Sequence, residues 1–123
     1  MASFQQSNVL TFKCGGVIAK GSVVKPGADA DHVVVSAAAT SKNLGIAMNT
    51  TTTAEDLVEV AFPGGGAKAK LGSGGCAIGD LLTSDASGTL VVTTTPGDRY
   101  VAMALADGAE NDLVSVVMVT GLI

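Results

Sequence analysis

Tryptophan is absent, and aromatic residues make up 3% of the 123-residue chain, one tyrosine and three phenylalanines. A core of Val, Ala, Leu, Ile and Met side chains buries less area per residue than an aromatic one, so it is thin. A chain of this length forms one domain and buries only about two thirds of its unfolded surface. A thin core in such a domain points to added stabilisation by association with copies of itself or with a partner. Charge is also scarce, at 15% of residues with a net charge of -4. Low charge and a mean hydropathy of +0.47 exclude a disordered chain.

The few cations exclude a nucleic-acid partner. Lys13, Lys20, Lys25, Lys42, Lys68, Lys70 and Arg99 are scattered, with no basic stripe to displace counterions from phosphate. Long apolar runs are missing too. The best candidate, Leu113 to Val119, contains Ser115 and falls far short of the roughly 18 to 20 residues of a helical membrane span. Met1 to Phe12 lacks a basic start followed by an apolar block, so no secretory signal is expected. Two cysteines, Cys14 and Cys76, make neither a disulfide framework nor a zinc site, and read as reduced, buried thiols.

What the chain does have is sixteen glycines and many short β-rich runs. Val9 to Phe12, Val33 to Ser36, Leu44 to Asn49, Leu57 to Phe62, Leu90 to Thr93, Tyr100 to Leu105 and Leu113 to Thr120 read as strands. Pro26-Gly27, Asp85 to Gly88 and Pro96-Gly97-Asp98 supply the turns between them. Val58, Val60 and Phe62 alternate with more polar positions, which predicts one buried face. Leu113 to Thr120 is apolar on both faces, which predicts a central strand or one covered by a neighbouring chain.

The organising feature is an internal repeat. Gly15-Gly16 recurs as Gly74-Gly75 at an offset of 59, and Gly21 to Lys25 recurs as Gly79 to Thr83 at 58. Gly45 to Met48 matches Ala102 to Leu105 at 57, and Asp56 to Val60 matches Asp112 to Val116 at 56. Cys14 and Cys76 fall near equivalent places on this alignment. The expected fold is all-β with little helix: a small barrel or sandwich built from two pseudo-repeats closed against each other, residues 13–62 and 76–123, with an extended N-terminal arm. Residues 1–12 are the arm and first strand. Residues 63–75, with six glycines and Lys68 and Lys70, read as a flexible basic hairpin linker.

Chemistry is sparse. His32, the only histidine, follows Asp29 and Asp31 and reads as part of a solvated turn, with no Gly-x-Ser-x-Gly elbow to complete a nucleophile site. The glycine loop before Lys68 and Lys70 lacks the Gly-Lys-Ser/Thr order of a phosphate-binding loop. Thr52 and Glu55 have capping-box spacing, which allows one helical turn. Calcium is not expected, because only Glu55 and Asp56 are acidic there. Asn49-Thr50-Thr51 has glycosylation spacing without a secretory signal beside it. The duplicated β fold also invites comparison with biotinyl and lipoyl carriers, whose modified lysine sits on a hairpin, in biotin carriers after Ala-Met. Here Asn49 follows Ala47-Met48 and cannot be acylated. No catalytic residue, cofactor site or metal site is expected.

The chain resembles the capsid cement, or head decoration, proteins of tailed bacteriophages over nearly its whole length. The likeness rests on the paired turns Ala19 to Val24 and Ile78 to Leu82. It also rests on the strands Leu44 to Ala47 and Val101 to Ala104, and on the Val-x-Val endings at Val58 to Val60 and Val114 to Val116. It implies a non-enzymatic structural protein on the outer surface of the phage head, made in the host cytoplasm and carried on the virion. Its partners would be the major capsid protein and itself, as a homotrimer, with no nucleic acid and no membrane. Phe4, Val9, Leu10 and Phe12 are the expected shell contacts, since an N-terminal arm can add a strand to an edge on the capsid protein. Lys68 and Lys70 are further interface candidates, although their loop is longer than the compact turn expected in that family. The alternative is a small soluble β-barrel binding module or an accessory subunit of another complex, which would be monodisperse alone. An enzyme, which needs a concave site with titratable groups, ranks third.

Overall fold

A computed structural model describes residues 9–40, 42–62 and 64–123. They form ten strands and no helix: β1 (Val9–Cys14), β2 (Val23–Pro26), β3 (His32–Val35), β4 (Gly45–Ala47), β5 (Leu57–Ala61), β6 (Gly66–Lys70), β7 (Leu81–Ser84), β8 (Leu90–Val92), β9 (Arg99–Ala104) and β10 (Leu113–Leu122). The expected all-β class and the duplication both hold, and each repeat builds its own five-stranded sheet. The first closes into a barrel in the order β1-β3-β2-β4-β5, and the second has the order β6-β10-β9-β7-β8.

The two sheets have one topology. The antiparallel pairs β1·β5, β4·β5, β2·β4 and β2·β3 of the first repeat recur as β6·β10, β9·β10, β7·β9 and β7·β8 in the second. The parallel β1·β3 pair that closes the first barrel, with Cys14 opposite Val33, recurs only as an isolated bridge of Leu71 to Leu90. Turn details repeat as well. The Gly21 N–H donates to Ala47 O and the Gly79 N–H to Ala104 O, both glycines having φ near +90°. Glu55 and Asn111, both at positive φ, donate to Cys14 O and Leu71 O.

These bonds correct the repeat in two places. Gly15 N–H donates to Val33 O where Gly72 N–H donates to Leu90 O, so Gly15 corresponds to Gly72 and not to Gly74. Cys14 then corresponds to Leu71. Cys76, which exchanges bonds with Gly108 much as Ile18 does with Thr51, corresponds to Ile18. The two cysteines are therefore unrelated by the duplication. Both are free; Cys14 is buried, as expected, and Cys76 only half-buried.

The expected linker is also corrected. Residues 66–70 are not a loop but strand β6, the counterpart of β1, paired with β10 from Leu113 opposite Lys70 to Val117 opposite Gly66. Gly-Ala-Lys-Ala-Lys has little intrinsic strand preference. Pairing with the ten-residue β10 and burial of Ala69 in the core override it. The possible helical turn at Thr52 to Glu55 is a non-helical turn closed by Asp56, whose carboxylate accepts from the N–H groups of Thr52 and Thr53.

The predicted alternation in β5 is present: Val58 and Val60 are buried in the first barrel while Leu57 and Glu59 face out. β10 is central in its sheet, with Val114, Val116 and Met118 buried inside and Ser115, Val117 and Val119 half-buried outside. Two cores result. One lies inside the first barrel and includes Cys14, Ile18, Val24, Val33, Val58 and Val60. The other fills the second sheet and takes in Val23, Ile46 and Ala61 from the outside of the first barrel.

A break in the repeat joins the halves. In the first barrel the Lys13 N–H donates to Asp31 O and shuts the seam between β1 and β3. In the second sheet the equivalent donor and acceptor turn to the first barrel instead. Lys70 N–H donates to Gly21 O at 3.1 Å, and Gly88 O accepts from the Val23 N–H at 2.8 Å. Residues Gly21 to Val23 are thus stitched between β6 and β8, and the second barrel is closed through a segment of the first.

Candidate interaction surfaces

The anticipated contact residues fall on two different sheets. Val9, Leu10 and Phe12 lie on β1, and Lys68 and Lys70 on β6; the structure does not pair these strands. Phe4 lies outside the described residues. Leu10 is 57% exposed although its partner Val60 is fully buried, because it stands at the open mouth of the first barrel. Phe12 is half-buried and stacks on Phe62, with centroids 5.9 Å apart and planes at 25°. Val9, opposite Ala61, is half-buried. Lys68 is exposed beside Ser115, and Lys70 is half-buried beside Leu113.

A groove of about 450 Å³ runs between the halves, lined by Asn43, Leu44 and Phe62 of the first and by Arg99, Tyr100 and Leu122 of the second, among others. Its floor is shaped by Tyr100, whose ring lies against Gly121 on the facing strand, where no Cβ could fit. A register shift between Met118 and Gly121 bends β10 at this point. The Asn43 carbonyl oxygen accepts from the Ser36 hydroxyl, and its buried Nδ2 has no partner among the described residues. None of the groove residues was singled out from sequence as a functional candidate. Phe62 and Tyr100 are two of the four aromatics, and that scarcity is the one signal that could have pointed there.

Titratable groups sit mainly in turns. The His32 ring contacts two acceptors, Ala30 O through Nδ1 and the Glu55 carboxylate through Nε2, each at 2.8 Å. Both nitrogens must then carry protons, so this geometry favours the imidazolium. The backbone bond to Ala30, then the bond to Glu55, raise the His32 pKa above its ordinary 6.5. Hydrogen bonds from the Thr52 and Thr53 backbone, then from their hydroxyls, lower the pKa of Asp56 below 3.8. Burial, then the charges of Asp80 and Asp107, raise that of the Cys76 thiol and make it a poor nucleophile. His32 and Glu55 pin β3 to the turn before β5, and Asp56 organises that same turn. Among the described residues no group of three His, Cys, Asp or Glu side chains is placed to hold a metal ion.

A pH dependence follows. The raised His32 pKa means that its contribution is complete below pH 6.5 and is lost as pH rises through the folded-state value. The lowered Asp56 pKa means that its contribution is present above pH 3.8 and is lost as pH falls through the folded-state value. His32→Gln is therefore expected to flatten the decline of Tm above pH 6.5 and to leave the acid limb unchanged, as followed by circular dichroism melts. The effect is small, because Glu55 is 63% exposed and solvent screens the pair. An alkaline decline equal to that of the unmodified protein would contradict the assignment.

No family model matches the chain. No curated protein matches it in sequence. Among solved structures it is similar to the N base of the head fiber gp8.5 of bacteriophage phi29, at 23% identity and a TM-score of 0.69, covering 90% of this chain and 92% of that one. At this identity the likeness concerns the fold, and it extends through both repeats: the chain has the fold of a phage head-fiber base.

Proposed function

We propose that the protein is a non-enzymatic decoration protein of a bacteriophage head, bound to the outer surface of the shell and stabilising contacts between capsomers, as a homotrimer. The observation that carries this reading is the shared fold with a head-fiber base over nine tenths of the chain. The surface chemistry supports it. Exposed Leu10, Leu57, Leu105, Leu113 and Leu122 give a small acidic protein several apolar contact points, and its buried polar groups serve turns and seams. The groove is rimmed by Arg99 and lacks a paired acid and base, which suits recognition better than catalysis. Many weak copies on a lattice would hold a shell more firmly than any single interface.

Density-gradient sedimentation of phage particles, with quantitative mass spectrometry of the particle band, tests the proposal. The expected result is co-sedimentation at a copy number comparable to that of the major shell protein. Recovery only as free protein at the top of the gradient would overturn it and favour a soluble binding module.

The mouth of the first barrel supplies a second test. Exposed Leu10 and the Phe12–Phe62 stack lie where β1 begins, immediately after the polar segment Met1 to Asn8. Deleting Met1 to Ser7 is expected to leave a folded protein, since both cores described above are built from residues beyond it, and to weaken head binding by about tenfold or more. Unchanged binding by the truncated protein would remove the N-terminal segment from the shell contact.

A further inference from the structure

The duplication places one face twice in the molecule, once covered and once open. In the first barrel, Val23, Ile46 and Ala61 form a row across β2, β4 and β5, with Val23 opposite Ile46 and Ile46 opposite Ala61. All three are at most 1% exposed, because this outer row packs into the core of the second sheet. In the second sheet the equivalent positions are Leu81, Met103 and Val117, which form the same row: Leu81 opposite Met103, and Met103 opposite Val117. These side chains are larger or equally apolar, yet all three are only half-buried, and no segment of the described chain covers them as the second sheet covers the first row. Exposed Leu105 and Leu113 extend the apolar surface along the same side.

We propose that the Leu81–Met103–Val117 face is a docking surface for a second copy of this chain, which presents its first barrel to it head to tail. The junction within the chain is already of this kind: a face of one barrel meets the seam of the next. The chain then has one face left over, on the second barrel, and one seam left over, between β1 and β3 of the first. A heterologous contact of that type closes into a ring when the rotation permits, which a trimer satisfies. The charges agree. Lys68 borders the open face through its pairing with Ser115, next to Val117 on β10. Carboxylates of Asp29, Asp31 and Glu55 surround the free seam, against Lys13 and His32. The seam of the first barrel is shut by the Lys13–Asp31 bond, so the contact between copies is made by side chains over a closed seam and not by an inserted strand. A reversible association is the consequence. This assignment rests on the reading of the protein as a self-associating head protein, and names the surface that reading leaves open.

Sedimentation equilibrium of the full chain tests it, with Met103→Asp as the variant and Val92→Asp as the control, an exposed site on β8 that pairs with Leu82 on the opposite face of the same sheet. The expected result is a wild-type oligomer whose dissociation constant rises at least about 30-fold in Met103→Asp, as for a central interface contact, and is unchanged in Val92→Asp. A Met103→Asp protein as oligomeric as the wild type overturns the assignment. So does a variant that assembles normally but no longer binds heads, since the face would then belong to the shell. A wild-type protein that is monomeric at every concentration overturns the face and the self-association together. If it still sediments with heads, the decoration reading stands without them. Should Met103→Asp fail to fold, peroxide oxidation of the wild type decides the matter. Met103 is expected to oxidise several-fold more slowly in concentrated than in dilute protein, while exposed Met48 keeps one rate. Equal behaviour of the two methionines would overturn the proposal.

Discussion

Val23→Asp is expected to destabilise both halves of the molecule together. Val23 is fully buried, and its side chain lies with Ile46 and Ala61 in the continuous core that includes Leu71, Leu82 and Leu90 of the second sheet. The next residue, Val24, faces the other core, so β2 feeds both by simple strand alternation. A carboxylate at position 23 would have no cationic partner in an apolar environment, and an unpaired buried charge costs about 3–5 kcal/mol. The whole stability of a domain of this size is about 5–15 kcal/mol. Tm should therefore fall by about 12 °C or more at about 4 °C per kcal/mol, or the transition should vanish from the circular dichroism melt. Val23→Ala, which removes only two methyl groups, should cost about 2 kcal/mol and keep a single transition. A Val23→Asp protein melting within a few degrees of the wild type would show that the two halves are not joined through this residue.

Much of this arrangement was legible in the residues. The alternation of Val58 and Val60 gave the buried face of β5, and the doubly apolar Leu113 to Thr120 gave a central strand. The offsets of 58, 57 and 56 already equate Val23 with Leu81, Ile46 with Met103 and Val60 with Val116. What pattern reading missed is β6, because Gly66 to Lys70 carries no β-branched residue and becomes a strand only through its pairing with β10. It also misaligned Gly15 with Gly74. Glycine pairs recur in a chain with sixteen glycines, and only the bonds to Val33 and Leu90 show which glycine occupies the equivalent turn. The exposed apolar surface was legible only in part. Leu10 announces itself as an apolar residue near a polar start, whereas the groove between Phe62 and Tyr100 exists because two barrels meet there, and no local pattern encodes that meeting.

Gly88→Asp should destabilise the protein by about 4 kcal/mol, whereas Asp31→Gly at the equivalent position should stay within about 0.5 kcal/mol of the wild type. The two positions share a left-handed backbone, φ +61° at Asp31 and +80° at Gly88. Aspartate tolerates that conformation better than most residues, so Asp31 is acceptable in an exposed turn, and replacing it by glycine merely trades mild strain for chain freedom. Gly88 is buried, and a Cβ there would run into Val35 of the first barrel and lie 3.3 Å from Ser36 O. A carboxylate would then sit beside backbone carbonyls with no donor, at the point where Gly88 O accepts the Val23 N–H. The expected fall in Tm is about 15 °C for Gly88→Asp, with Gly88→Ala intermediate. If Gly88→Asp were instead tolerated as well as Asp31→Gly, the second seam could close on itself as the first does. Residues Gly21 to Val23 would then not be what closes it. The asymmetry between two otherwise equivalent turns is thus a direct measure of how far the duplicated barrel has given up its own closure to its neighbour. It also bears on assembly: the first seam is shut by the Lys13–Asp31 bond, so the proposed contact between chains lacks the backbone bonds that join the two halves within one.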